Sequence, residues 1–103
     1  LLEINAHNGA SYAHLNYICP KLKYVGYESN LSYIPLTIKE AHITYTDYDN
    51  IDFCQYNKEF NYIIINNATE YSEAERNSLY ARLYGCLKAN GQLIWNDNTP
   101  HND

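Results

Sequence analysis

The stretch Leu1-Leu2-Glu3-Ile4-Asn5-Ala6-His7-Asn8-Gly9 decides the fold. Its first four residues suit a short buried strand, with Glu3 as the one charge inside it. Asn5 to Gly9 is loop chemistry, and a glycine at position 9 lets the backbone come close to a ligand or a strand. A helix is expected from Asn8 or Gly9 to about Cys19, with Ala10, Ala13, Leu15 and Ile18 as its inner face and Pro20 as its stop. This strand–loop–helix unit opens many α/β proteins that bind nucleotides. The loop backbone and the helix N-terminus offer N–H donors at the C-terminal edge of a parallel sheet.

Outward from this unit the pattern repeats. Lys23 to Tyr27 reads as a second strand with Glu28 at its end. Asn30 can cap a short or broken helix within Asn30–Glu40, because Pro35 lies too far in for a regular one. His42 to Thr46 alternates β-branched and aromatic residues, a third strand, and Asp47-Tyr48-Asp49-Asn50 is turn chemistry. Ile51 to Glu59 is expected to be loop with at most a short helix. Tyr62-Ile63-Ile64-Ile65 is a continuous run of the kind buried on both faces of a parallel sheet. Ser72-Glu73-Ala74-Glu75 is a capping box. It predicts a helix to about Ala89 with Leu79, Leu83, Cys86 and Leu87 on one face, Lys88 at its C-terminal end and Asn90-Gly91 as its left-handed stop. Gln92 to Asn96 is a fifth strand. Strands alternating with helices mean a parallel sheet with right-handed crossovers. The expected fold is α/β, a Rossmann-like three-layer sandwich with a parallel five-stranded sheet in the order 3-2-1-4-5. Residues 1–97 form one domain that reads as part of a longer chain, followed by a polar tail, 98–103.

Composition bounds the function. The chain has 103 residues, 46% apolar and 18% charged, as befits one globular domain. The net charge is −5 and the seven basic residues are scattered, which argues against a nucleic-acid surface or membrane-surface binding in this segment. Cys19, Cys54 and Cys86 are far apart and form no C-x-x-C pair, the pattern of reduced thiols in a cytoplasmic protein. His7, His14, His42 and His101 have no ligand spacing, so no metal is expected.

Candidate functional residues fall at successive strand ends: Glu3, Asn5, Ala6, His7 and Gly9 after the first strand, Glu28 after the second, Asp47 and Tyr48 after the third, and Asn66 with Asn67 after the fourth. In an open α/β sheet that edge binds ligands. The order and spacing resemble the class I S-adenosylmethionine-dependent methyltransferases. Leu1–Gly9 is similar to the family's first motif, an acidic residue followed by alternating glycines. Val25-Gly26-Tyr27-Glu28 is similar to its second strand with the acidic ribose clamp, and Thr46-Asp47-Tyr48 to the turn beside the adenine. Phe60 to Ile65 resembles its fourth strand, and Leu87 to Ile94 its helix-to-fifth-strand signature.

The resemblance implies S-adenosylmethionine as cofactor and methyl transfer to an unidentified small-molecule or protein acceptor. Glu28 would take the ribose hydroxyls, Asp47 the adenine amino group and Tyr48 the adenine ring. Asn5 to His7 would face the amino-acid part, with Glu3 fixing the loop, and Asn66 would lie where the acceptor pocket opens. The chain departs from the family pattern at Asn5 and His7, where glycine is usual, at Asn61, where an acidic residue is usual, and at Ala89-Asn90, where Pro-Gly is usual. These departures motivate a second reading, a non-catalytic domain of the same fold serving as a structural or interaction module. A dinucleotide site of the NAD type needs G-x-G-x-x-G after the first strand, and Asn5-Ala6-His7-Asn8-Gly9-Ala10 fits it poorly.

Overall fold

The computed structural model describes residues 1–96. The expected tail, 98–103, lies outside the described residues. Strands β1 (Leu2–Ile4), β2 (Val25–Glu28), β3 (Ile43–Tyr45), β4 (Phe60–Asn66) and β5 (Leu87–Asn96) form one parallel sheet in the order β3-β2-β1-β4-β5. Helix α1 (Ala10–Ile18) joins β1 to β2 and helix α2 (Glu73–Tyr84) joins β4 to β5. Short 3-10 turns occupy Leu31–Leu36, Tyr48–Asn50, Phe53–Tyr56 and Ala68–Glu70. This is the α/β Rossmann-like sheet that the alternating pattern predicts. The chain runs one way from β1 to β3, then returns to the other side of β1 for β4 and β5. The reversal leaves the strand C-termini of β1 and β4 side by side at the switch point where such sheets bind ligands.

Strand alternation sorts β1 into two chemistries. Leu2 and Ile4 point to one face with Ile63 and Ile65 of β4, their register partners, and all four are buried. Leu79 and Leu83 of α2 are fully buried in the same cluster, together with Phe60 and Cys86. Glu3 points to the other face, in register with Gly26 and Ile64. There Tyr12 of α1 meets Tyr24 with ring centroids 5.1 Å apart. Gly26 leaves room for β3, since a Cβ on it would lie 2.6 Å from Ile43 Cδ1.

Three expectations are corrected by packing. Helix α1 has no buried residue. Ala10, Ala13 and Ile18 are exposed, and the half-buried positions are Ser11, Tyr12, Leu15 and Asn16. The helix is turned from its expected face because the long Tyr12 ring, rather than the alanines, reaches the sheet. Strand β4 is interior by pairing yet not buried on both faces: Tyr62 is 48% exposed, as α1 packs against the Tyr24 side of the sheet. The third correction concerns the end of α2, which stops at Tyr84 rather than near Ala89. Gly85 and Cys86 turn there, and their carbonyls accept from the N–H groups of Lys58, Glu59 and Phe60. Those bonds pull the chain into the sheet early, so Leu87 belongs to β5 and pairs with Phe60.

The left-handed signal at Asn90-Gly91 is real but serves this strand. Phe60 pairs with Leu87 and Tyr62 with Gln92, so Lys88 to Gly91 bulge opposite Asn61 alone. Asn90 has φ 66°, and a Cβ on Gly91 would lie 2.9 Å from the Lys88 carbonyl oxygen.

The capping box forms as its sequence predicts: Glu75 N–H donates to Ser72 Oγ and Ser72 N–H to Glu75 Oε1. Asn30 caps the broken Leu31–Leu36 turn, with Ser32 N–H donating to its Oδ1 at 3.0 Å.

Leu83→Ala is expected to cost about 2–5 kcal/mol in urea denaturation, since its side chain is wholly buried; a loss below about 1 kcal/mol contradicts the assigned core face. Thiol labelling of the native protein is expected to modify exposed Cys19 and Cys54 and to spare Cys86. Burial shields Cys86 and pushes its pKa up, so less of the reactive thiolate is present. Labelling of Cys86 at the rate of the other two contradicts its placement under α2.

Candidate functional site

The loop after β1 carries a repeating backbone device. Asn5, His7 and Gly9 have φ of 60°, 57° and 88°. Left-handed backbone is costly for most side chains, and Asn and His are among those that enter it most readily. Left-handed backbone therefore recurs at every second residue, at positions 5, 7 and 9. It coils the chain tightly: Ala6 N–H donates to Tyr27 O at 2.9 Å, and Gly9 N–H donates to Ala6 O at 3.1 Å.

Two buried carboxylates tie this loop to the strands. Glu28 ends β2 and is 4% exposed. Its Oε1 accepts from His7 N–H and its Oε2 from Asn30 N–H, both at 2.8 Å. Glu3 is 1% exposed. Its Oε1 accepts from Tyr24 Oη at 2.5 Å and its Oε2 from Asn66 Nδ2 at 2.6 Å. Burial, and then the Glu3 charge, push the Tyr24 phenol far above its ordinary value, so it remains the donor. Asn66 also donates to Asn5 O at 3.0 Å and accepts from Asn96 Nδ2 at 3.0 Å, which carries the network into β5. Asn5 Nδ2 donates to Asn66 O at 2.7 Å.

Glu3, Asn5, Ala6, His7, Glu28, Tyr48 and Asn66 thus surround one region, the C-terminal ends of β1, β2 and β4. Gly9 and Asp47 do not join it. Gly9 is buried against β3, where a Cβ would lie 2.5 Å from that of Ala41, so its small size serves strand packing. Asp47 is exposed and leads the Tyr48–Asn50 turn without a side-chain cap bond.

The structure adds residues that the sequence reading did not name. Tyr71 donates its hydroxyl to Asn5 Oδ1 at 2.9 Å and meets the Tyr48 ring edge-on at 5.3 Å. Tyr33 lies against the His7 ring at 5.1 Å, and Asn67, already a candidate from its strand-end position, has its Nδ2 3.2 Å from His7 Nε2. Tyr45 Oη donates to His7 O at 3.2 Å. A signal was available for Tyr24: a carboxylate buried in a central strand requires donors from its neighbours. Nothing local marks Tyr71.

The open volume here is small. One cavity of about 10 Å³ lies among Ile4, Asn5, Glu28, Tyr48 and Tyr71. Another of about 80 Å³ lies among His7, Glu28, Asn30, Tyr33 and Glu70. Small-molecule sites usually measure about 300–1,000 Å³. Both cavities beside Glu28 are well below that size. A larger cavity of about 460 Å³, between Asp52–Cys54 and Arg82 of α2, shares only Ile51 with the strand-end cavities. Among the described residues, no group of three or more His, Cys, Asp and Glu could hold a metal ion, and no helix is long and apolar enough to cross a membrane.

No model of a known protein family matches the chain, and comparison with curated proteins finds no significant match.

Asn66→Ala leaves one oxygen of the buried Glu3 carboxylate and the Asn5 carbonyl without their donor. The expected loss is about 1–3 kcal/mol by chemical denaturation, whereas Thr44→Ala on the exposed edge strand is expected to change stability by less than about 0.5 kcal/mol. Equal small effects contradict the network's place in the fold.

Proposed function

We propose that this chain carries the nucleotide-binding core of an S-adenosylmethionine-dependent methyltransferase acting on a small-molecule or protein acceptor. The observation that carries this reading is the left-handed run at positions 5, 7 and 9 directly after the central strand, with the Glu28 carboxylate set across it. The run brings His7 N–H onto Glu28 Oε1 beside the switch point. A carboxylate at the end of β2 stands one strand away, where a ribose lying over that loop presents its hydroxyls. Each oxygen of Glu28 accepts a backbone hydrogen bond, and a carboxylate has about four acceptor sites in all, so capacity remains for a ligand. Three well-separated free cysteines support a cytoplasmic setting.

The second reading, a structural or interaction domain of the same fold, is favoured by one observation. Both Glu28 oxygens already hold backbone N–H groups, and the cavities beside them are far smaller than a nucleoside. The first reading therefore requires the strand-end region to open.

Calorimetric titration separates the readings. The protein is expected to bind S-adenosylmethionine and S-adenosylhomocysteine and not NAD. Glu28→Gln is expected to weaken adenosyl binding by about 10- to 100-fold, since a hydrogen bond to a charged group is worth about 1.5–3 kcal/mol. The amide keeps one of the two acceptors that hold His7 and Asn30 N–H, so the thermal unfolding midpoint of Glu28→Gln is measured alongside: weaker binding at an unchanged midpoint marks a lost ligand contact rather than a lost loop. Binding of neither adenosyl compound by the full-length protein overturns the methyltransferase reading, and tight NAD binding replaces it with a dinucleotide site.

A further inference from the structure

Tyr71 ends the connection from β4 to α2, between the Ala68–Glu70 turn and the Ser72 cap. Its position is set from outside that connection. The hydroxyl reaches Asn5 Oδ1 at 2.9 Å, while the ring stands edge-on to Tyr48 with an interplanar angle of 80°. It shares the walls of the 10 Å³ cavity with Ile4, Glu28, Thr46 and Ile51. So an aromatic ring sits at the C-terminal ends of β1 and β2, between apolar and aromatic side chains, with a polar group bonded to a loop amide. A purine makes the same demands of a protein: an apolar slot for the ring and hydrogen-bond partners at its edge.

We propose that Tyr71 is the built-in occupant of a ring-shaped slot at this edge, and that an adenosyl ligand enters only when Tyr71 leaves it. The inference rests on the reading above for the identity of that ligand. The contacts that hold Tyr71 are ones that an adenine can replace: its edge-on contact with Tyr48 by stacking, and its donation to Asn5 Oδ1 by the exocyclic amino group. The connection can release the side chain without unravelling the sheet. Ala68 is buried and anchors it on one side, the capping box of α2 holds the other, and Asn67 turns the chain at φ 53°. Asn5 acquires a purpose in the same step. A glycine there would supply the backbone turn but no amide to hold Tyr71, so the residue that departs from the family's pattern is the latch. When only a fraction of molecules is open, apparent affinity falls by that fraction, and removing the occupant removes the penalty.

The experiment titrates wild type, Tyr71→Ala and Tyr71→Phe with S-adenosylhomocysteine, and follows thermal unfolding of wild type and Tyr71→Ala with p-cresol, the side chain of tyrosine as a free molecule. Tyr71→Ala is expected to bind S-adenosylhomocysteine at least about tenfold more tightly than wild type, with Tyr71→Phe between them because it keeps the ring and loses the latch. p-Cresol is expected to raise the unfolding midpoint of Tyr71→Ala and leave that of wild type unchanged, as a ligand stabilises the state it binds. Equal or weaker S-adenosylhomocysteine binding by Tyr71→Ala than by a binding-competent wild type overturns the gate and leaves the methyltransferase reading standing. Failure of all three proteins to bind it overturns that reading, while a p-cresol effect still upholds Tyr71 as occupant of the slot. Absence of any p-cresol effect overturns the occupancy itself.

Discussion

A carboxylate buried at the centre of the sheet is the constraint around which this molecule is built. Glu3 lies in the middle strand with almost no exposure, and such a charge is tolerated only where donors surround it. Its donors come from both sides: Tyr24, just before β2, and Asn66, at the end of β4. Each belongs to a segment flanking β1, so satisfying the charge also sets the position of those strands. Asn66 then bonds the first loop residue and accepts from Asn96 of β5. The apolar face of the same strand, Leu2 and Ile4, is packed under α2. The polar and apolar sides of three residues thereby organise opposite layers.

The same economy shapes the strand-end region. Glu28 repeats at β2 what Glu3 does at β1, but its donors are backbone N–H groups of the two loops that flank it. It holds the shape of the left-handed turn at Asn5 to Gly9. Tyr71 and Tyr48 then close over that shape. Asn5 takes part in both: it turns the backbone at φ 60°, and its side chain accepts from Tyr71.

Much of the fold was legible because it rests on local chemistry. The run Tyr62–Ile65 became an interior strand by pairing, though Tyr62 stays exposed on one face. Ser72 and Glu75 satisfy each other within one turn and began α2 where their spacing said. Pro35 broke the turn after Asn30. What was not legible depended on partners remote in sequence. The end of α2 was set by Lys58 to Phe60 capturing the carbonyls of Gly85 and Cys86. Asn90-Gly91 carried a true left-handed signal, yet the same signal ends a helix or opens a bulge, and only the pairing with β4 chose between them. Helix α1 turned because a tyrosine reached farther than alanines, a matter of side-chain length against a particular neighbour.

The residues of the strand ends divide along the same line. By itself the sequence determined the alternation of strands and helices, hence the parallel sheet and its order, and it placed Glu3, Asn5, His7, Glu28 and Asn66 at one edge, because topology carries every strand end there. Only the tertiary structure decided what those side chains do. It gave Gly9 to the packing of Ala41, left Asp47 in solvent and brought Tyr71 across to Asn5 from 66 positions away in the chain. The physical reason is range. Backbone preference and periodicity act within a turn or a strand, whereas burial of a charge or a ring is satisfied by whatever the folded chain brings near it.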